Sequence, residues 1–144
     1  MNKLKFLLCA VIALNVSCVL AKPNVGDVCT KHKSLTICVD GSYSGKKIYN
    51  HRVIIKNATI NAEVSADALY VVDNSILKKG CNGIEVTVKS STINGDCNVT
   101  SLVLDGENAK INGNVNAETL NCKNNASQKQ ITGKINVPCN NCEK

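Results

Sequence analysis

The residues of this chain with the most chemical potential are its cysteines, and two of them stand close together near the C-terminal end. Cys139 and Cys142 have the Cys-x-x-Cys spacing of a redox-active dithiol. That activity requires a helix N-terminus to lower the pKa of one thiol. The motif instead follows a predicted strand and Pro138, which is typical of a structural disulfide. We predict that Cys122 is bonded to Cys139 or to Cys142.

The number and spacing of the other cysteines predict further disulfides. Seven cysteines follow residue 21: Cys29, Cys38, Cys81, Cys97, Cys122, Cys139 and Cys142. In an exported chain this number indicates a disulfide framework, and because seven is odd, one thiol stays free, pairs between chains or is modified. Cys81 and Cys97 fall in nearly the same position of neighbouring repeats, which predicts a Cα separation of about 5 Å and a disulfide. Cys29 and Cys38 form the remaining predicted pair.

Histidine and carboxylate positions do not favour catalysis or metal binding. The two histidines, His32 and His51, have no cysteine or carboxylate partners at the spacing of a zinc site. Neither belongs to a Ser-His-Asp or Cys-His arrangement. Four aspartates lie near predicted corners of the repeats, where Asp is an ordinary turn residue: Asp67, Asp73, Asp96 and Asp105. We predict no catalytic, cofactor-binding or metal-binding residues and no enzymatic activity.

The first 21 residues have the organisation of a secretory signal peptide. Lys3 and Lys5 form its positive segment, and residues 6–14 form its apolar core. Small and aliphatic residues at 19–21 are what signal peptidase requires, so we predict cleavage after Ala21.

Two other interpretations of this segment are a membrane anchor and a lipoprotein signal. The apolar run is too short for a membrane span and is interrupted by Asn15. A lipoprotein signal at Cys18 would have an aliphatic residue where Asn15 stands. We predict a secreted or extracytoplasmic protein, located in the periplasm, at the cell surface or outside the cell, with no membrane span in its mature part.

Charge and aromatic content argue against nucleic acid as a partner. The formal net charge of +6 falls by two, to +4, when the signal peptide is removed. Aromatic residues make up 3% of the chain, with no Trp, so stacking platforms for single strands are missing. The basic residues are spread along the sequence and predict a solvated surface, with weak attraction to acidic glycans left open.

A seven-residue motif recurs in the rest of the chain. The first three positions are Ile, then Asn or Thr, then Gly or Ala. The fourth position is variable, and the fifth is an apolar residue or Cys. The sixth position is Asn or Ser, and the seventh is Val or Ala. Its copies occupy residues 60–66, 93–99, 111–117 and 131–137, with a weaker copy at 76–81. Between the copies stand alternating apolar pairs 16 to 18 residues apart: Val53/Ile55, Leu69/Val71, Val86/Val88, Leu102/Leu104 and Leu120/Cys122. The alternation predicts strands with one buried face.

A repeat of this length predicts an all-β fold, a narrow single-stranded parallel β-solenoid of about five rungs of about 17 residues. Gly95, Gly113 and Gly133 are predicted at corners, where glycine tolerates positive φ. Asn61, Asn94 and Asn112 are predicted to stack as a ladder of side-chain amides. The alternative is an antiparallel sandwich of short strands, which does not explain why one motif returns in every rung.

The repeats divide the mature chain into three parts. Residues 22–50, with a predicted disulfide between Cys29 and Cys38, form an N-terminal cap, which a solenoid needs to cover the edge of its first rung. Residues 51–137 are the solenoid. Residues 138–144 form a C-terminal tail held by cysteines.

Two segments within the repeats are Ser-Thr-Ile-Asn-Gly-Asp at residues 91–96 and Leu-Val-Leu-Asp-Gly-Glu-Asn-Ala-Lys-Ile-Asn-Gly-Asn-Val-Asn-Ala at residues 102–117. Both segments resemble the repeat of bactofilins, which are polymer-forming bacterial cytoskeletal proteins. The pattern is also similar to the short β-helices of secreted adhesin heads. The resemblance covers roughly residues 53–137 and implies a right-handed parallel β-helix that self-associates end to end. The signal peptide and the cysteines depart from bactofilins, so only the fold is carried over and no site residues transfer.

The sequence therefore predicts an exported, non-enzymatic structural or surface-binding protein, adhesin-like and self-associating, with a protein or glycan surface or another copy as partner. The self-contacts would be end to end or through an intermolecular disulfide. The alternative is a small secreted effector or binding module acting on host proteins or glycans, and an exported carbohydrate-active enzyme ranks third. Three sequons are glycosylation acceptors if the source modifies exported proteins: Asn57, Asn98 and Asn125.

Overall fold

The computed structural model describes residues 28–144, so the predicted signal peptide, its cleavage site and Cys18 lie outside the described residues. Within residues 28–144 there is no helix with the length and hydrophobicity needed to cross a membrane. The strands are β1 (Cys29–Lys31), β2 (Leu35–Ser44), β3 (Ile48–Asn61), β4 (Val64–Val72), β5 (Ile76–Leu77), β6 (Cys81–Lys89), β7 (Thr92–Asn94), β8 (Cys97–Asp105), β9 (Lys110–Asn112), β10 (Val115–Lys123), β11 (Ile135–Asn136) and β12 (Cys139–Asn141). A single 3₁₀ turn, Gln128–Gln130, accompanies them in this part of the chain.

The strands wind into a parallel β-solenoid of about six turns, which confirms the predicted fold class and excludes the sandwich. Each turn has three faces, which we number in chain order. Face 1 comprises residues 35–39, 52–56, 68–72, 85–89, 101–105, 119–123 and 139–141. Face 2 comprises residues 41–44, 58–61, 76–77, 92–94 and 110–112, continued by Ile131. Face 3 comprises residues 48–50, 64–66, 81–83, 97–99, 115–117 and 135–136.

Apolar columns fill the interior because alternate residues of most strands point inward. Face 1 contributes the column Val53, Leu69, Val86, Leu102 and Leu120, which are in register from rung to rung. The largest fully buried side chains are Ile55, Ile60, Leu69, Leu77, Ile93, Leu102, Leu104, Ile111, Leu120, Val53, Val64 and Val71. Burying each of them contributes about 1.5–3 kcal/mol relative to leaving it exposed.

The parallel register extends beyond the predicted solenoid limits at both ends. β1 and β2 form an antiparallel hairpin, with Cys29 opposite Cys38. However, β2 also pairs in parallel with β3 from Leu35 onwards, so most of the segment predicted as a cap is the first rung. At the other end β12 pairs in parallel with β10, so the predicted tail completes the last rung.

The corner between faces 1 and 2 carries a column of residues with left-handed backbone. The column consists of Asp40, Asn57, Asp73, Ser90, Gly106 and Asn124, all with positive φ. Asn, Asp and Gly tolerate this conformation best. From the second rung onwards this corner also absorbs all the variation in rung length: five to nine positions separate the last inward residue of face 1 from the inward residue of face 2, as in Ile55 to Ile60 and Cys122 to Ile131.

The other two corners have constant length, except that the first rung has one extra residue between Tyr43 and Ile48. In every later rung four positions separate the inward residue of face 2 from the first inward residue of face 3, as in Ile60 to Val64. The first paired residue of face 3 and the first paired residue of face 1 are likewise four positions apart, as in Val64 to Ala68.

The predicted corner glycines lie at the corner between faces 2 and 3, but for a different reason. Only Gly95 has positive φ, +125°. A Cβ on Gly113 would overlap the carbonyl group of Gly95, and a Cβ on Gly133 would overlap that of Gly113. The prediction that positive φ requires these residues is therefore wrong for Gly113 and Gly133; they are glycines because the backbones of successive rungs approach too closely for a side chain.

Candidate binding face

The predicted amide ladder is present on face 2 in part. The Asn112 Nδ2 group donates to Asn94 Oδ1 at 2.8 Å. Asn61 does not join them, because Lys78 occupies the same position in the rung between. The Asn61 amide donates instead to the Ser44 hydroxyl at 3.2 Å.

A longer set of asparagines follows the outward side of face 3. We call Asn82, Asn98, Asn116 and Asn136 the asparagine column, since they are in register over four successive rungs. Asn136 Nδ2 donates to Asn116 Oδ1 at 3.0 Å, and Asn98 Nδ2 donates to Asn82 Oδ1 at 3.5 Å. Three of the four residues are the sixth position of the repeat motif, so the signal for this column was in the sequence.

The asparagine column is interrupted at its centre. No hydrogen bond within residues 28–144 joins the side chains of Asn98 and Asn116, which are exposed on adjacent rungs. A carbonyl oxygen of one amide and an N–H group of the other are therefore free to bind a ligand. At this point the surface forms a groove of about 430 Å³.

The groove combines polar groups with apolar surface. Its lining residues are Asn98, Val99, Asn116, Ala117, Glu118, Asn136 and Pro138. Three amides and one carboxylate offer hydrogen-bond donors and acceptors. Val99 and Ala117 are buried in the core, so the exposed apolar side chain of the groove is Pro138. No Lys or Arg belongs to the lining, so the groove has no positive charge that would select an anion. This chemistry suits a neutral ligand rich in hydroxyl groups.

The four aspartates considered in the sequence have structural partners. Asp67 lies 2.7 Å from His51, Asp73 lies 3.3 Å from Lys56, and Asp105 lies 3.5 Å from Lys89. Asp96 accepts the backbone N–H of Asn114 at 2.8 Å. These contacts hold the corners of the solenoid. In the described part of the chain no three His, Cys, Asp or Glu side chains are grouped so that they could hold a metal ion.

The cysteines of residues 28–144 form two disulfides. Cys29 is bonded to Cys38, as predicted, and Cys122 is bonded to Cys142, one of its two predicted partners. Cys139 is an exposed thiol. The structure differs from the prediction at Cys81 and Cys97: they occupy the same column, as predicted, but they are thiols in contact and are not bonded.

The three sequon asparagines are all exposed, and one of them belongs to the groove. Asn57 and Asn125 lie at or next to the left-handed corner, with φ of 48° and 66°. Asn98 is a central member of the asparagine column. A glycan attached to Asn98 would therefore cover the groove.

Comparison of the chain with protein-family models, with curated proteins and with solved structures finds no significant match. The resemblance to bactofilins and adhesin heads therefore rests on the repeat motif and on the parallel solenoid.

Proposed function

We propose that this chain is an exported, non-enzymatic binding protein, and that face 3 binds a neutral glycan through the asparagine column. The observation that carries the proposal is the interrupted amide column over a groove without basic side chains. Two disulfides support a location in an oxidising, extracytoplasmic compartment.

The shape of the site agrees with a ligand that extends along the solenoid. Amides of the column recur once per rung, at about the 4.8 Å spacing of paired strands. An extended sugar chain lying along this axis presents hydroxyl groups to successive amides, while the exposed ring of Pro138 contacts its C–H surface. The groove is largely open to solvent, so a chain longer than one sugar unit can lie along it.

The same groove favours binding over cleavage. Glycoside hydrolysis generally uses two carboxyl groups, about 5–10 Å apart, on either side of the scissile bond. Glu118 is the only carboxylate in the groove lining. A single carboxylate can accept hydrogen bonds from sugar hydroxyls without completing a hydrolytic pair.

A glycan array followed by calorimetry tests the proposal. The exported protein, produced with its disulfides in a host that adds no N-glycans, is expected to bind neutral oligosaccharides. Replacing Asn98→Ala together with Asn116→Ala should weaken binding at least 10-fold, because both central amides are lost.

The matched control is the double variant Asn94→Ala and Asn112→Ala. It removes an amide pair of the same chemistry from face 2, and we expect unchanged affinity and a similar melting temperature. The proposal is wrong if both double variants bind equally well, if both lose binding equally, or if the array reveals only sulfated or otherwise acidic ligands.

A further inference from the structure

Two thiols meet inside the solenoid directly beneath the asparagine column. Cys81 and Cys97 are paired residues on adjacent rungs of face 3, and their Sγ atoms lie 2.9 Å apart. Their side chains point inward and are 1% and 0% exposed. The residues that follow them, Asn82 and Asn98, point outward and belong to the column.

The register of these residues satisfies the requirements of a disulfide. Paired residues of neighbouring parallel strands are separated by about 4.8 Å, and disulfides span Cα separations of about 4.4–6.8 Å. Both side chains leave their strands in the same direction, so the bond needs no movement of the backbone. The closed loop would contain one complete rung, since the cysteines are 16 residues apart.

We propose that Cys81 and Cys97 are an oxidation site and form a third disulfide, between rungs, in the exported protein. Two S–H bonds break and one S–S bond forms, with the release of two protons and two electrons. The oxidant is a disulfide, such as glutathione disulfide, which takes up both electrons and both protons and becomes two thiols. One cysteine first attacks this oxidant as the thiolate and forms a mixed disulfide, and the second cysteine then displaces the remaining thiol.

Burial determines when this reaction takes place. A mixed disulfide with an external molecule does not fit in a packed interior, so exchange must precede closure of the rungs or accompany their local opening. Contact with Cys97 and burial also raise the pKa of the Cys81 thiol, which lowers the fraction of reactive thiolate in the folded protein. Oxidation therefore belongs to folding after export, and the finished bond is protected from reductants in the same way.

Cys139 provides the internal comparison. It is exposed on the last rung and belongs to neither disulfide of the described residues. An oxidised protein with three disulfides would therefore retain one free thiol, and the dithiol protein would retain three.

Counting and mapping these thiols tests the proposal. The reduced full-length mature protein is refolded in a mixture of reduced and oxidised glutathione, quenched in acid, and alkylated in denaturant without reductant. We expect intact mass spectrometry to find one alkylated cysteine, and peptide mapping to find Cys81 linked to Cys97. The variant Cys139→Ser, which alters only an exposed side chain, should show no alkylated cysteine.

Two results would overturn the proposal. One is three alkylated cysteines in the refolded wild type together with two in Cys139→Ser, because the pair would then remain a dithiol under oxidising conditions. The other is linkage of Cys81 or Cys97 to any other cysteine, because the register would then not direct the oxidation.

Discussion

Two glycines at different corners separate steric crowding from backbone conformation, and substituting them tests the stacking of the rungs. Gly113 does not have positive φ, but a Cβ there would overlap the carbonyl group of Gly95 in the preceding rung. Gly106 has φ of +90°, and a Cβ there would meet nothing within 4 Å. Gly113→Ala and Gly106→Ala therefore add the same methyl group but destabilise the protein for different reasons, steric overlap at Gly113 and left-handed backbone at Gly106.

The expected magnitudes differ for a physical reason. An L side chain in the left-handed region costs about 1–2 kcal/mol, which is the expected loss of unfolding free energy for Gly106→Ala. Overpacking usually costs about 1–3 kcal/mol when side chains can adjust. At Gly113 the added methyl group would meet backbone atoms. Gly95 cannot move away easily, because its N–H donates a hydrogen bond to the backbone carbonyl of Asn112 at 3.0 Å. We expect Gly113→Ala to cost at least about 3 kcal/mol, at the upper end of that range.

Urea unfolding of the disulfide-intact protein measures both losses. The control is Gly106→Asn, because Asn57 and Asn124 occupy the same column with positive φ. Its loss should be smaller than that of Gly106→Ala, since Asn tolerates this conformation better than Ala. A Gly113→Ala variant within about 0.5 kcal/mol of wild type, the usual range of neutral surface changes, would show that no steric overlap occurs there. A larger loss for Gly106→Ala than for Gly113→Ala would also contradict the expected order.

Two further predictions concern buried polar groups. Ser75→Ala should lower the unfolding free energy by about 1–3 kcal/mol, because the buried N–H of Ala58 loses its acceptor, the Ser75 hydroxyl at 3.3 Å. Ser101→Ala on the outward side of face 1 should lie within about 0.5 kcal/mol of wild type in the same urea titration, and equal losses would contradict this account. When all cysteines are reduced, the raised pKa of Cys81 contributes to the unfolding free energy. This contribution is complete below the thiol pKa of the unfolded chain, about 8.5, and is lost as the pH rises through the pKa of Cys81 in the folded protein. Urea titrations from neutral to alkaline pH should show this loss relative to a Cys81→Ala and Cys97→Ala double variant, and parallel pH curves would contradict it.

Much of the fold could be predicted from the sequence because each rung repeats the same local choices. The recurrence of Ile and of the alternating apolar pairs predicts both the parallel stacking and the placement of Cys81 beside Cys97. The first rung escaped prediction because Tyr43 occupies the column where later rungs have Ile60 and Leu77, and Thr36 occupies the column of Val53. Without aliphatic residues at those positions the motif is not recognisable.

The binding face was less accessible to sequence reasoning. The repeat motif contains asparagine at two positions, and both give stacked amides, one on face 2 and one on face 3. Which of them borders a groove depends on the corner that follows, where Glu118 and Pro138 stand beside Asn116 and Asn136. These residues come from positions about one rung apart in the sequence. Their proximity can be predicted only when the length of each rung is known.

From the second rung onwards, length variation is confined to the corner between faces 1 and 2, which has a consequence for how such a protein diversifies. Segments can be inserted or deleted after the left-handed residue without shifting any inward column, because the other two corners of these rungs keep a constant length of four positions. Natural variants and grafted epitopes would therefore emerge as a row of loops along a single edge, spaced by one strand separation. The asparagine column would keep its geometry while that edge evolves independently.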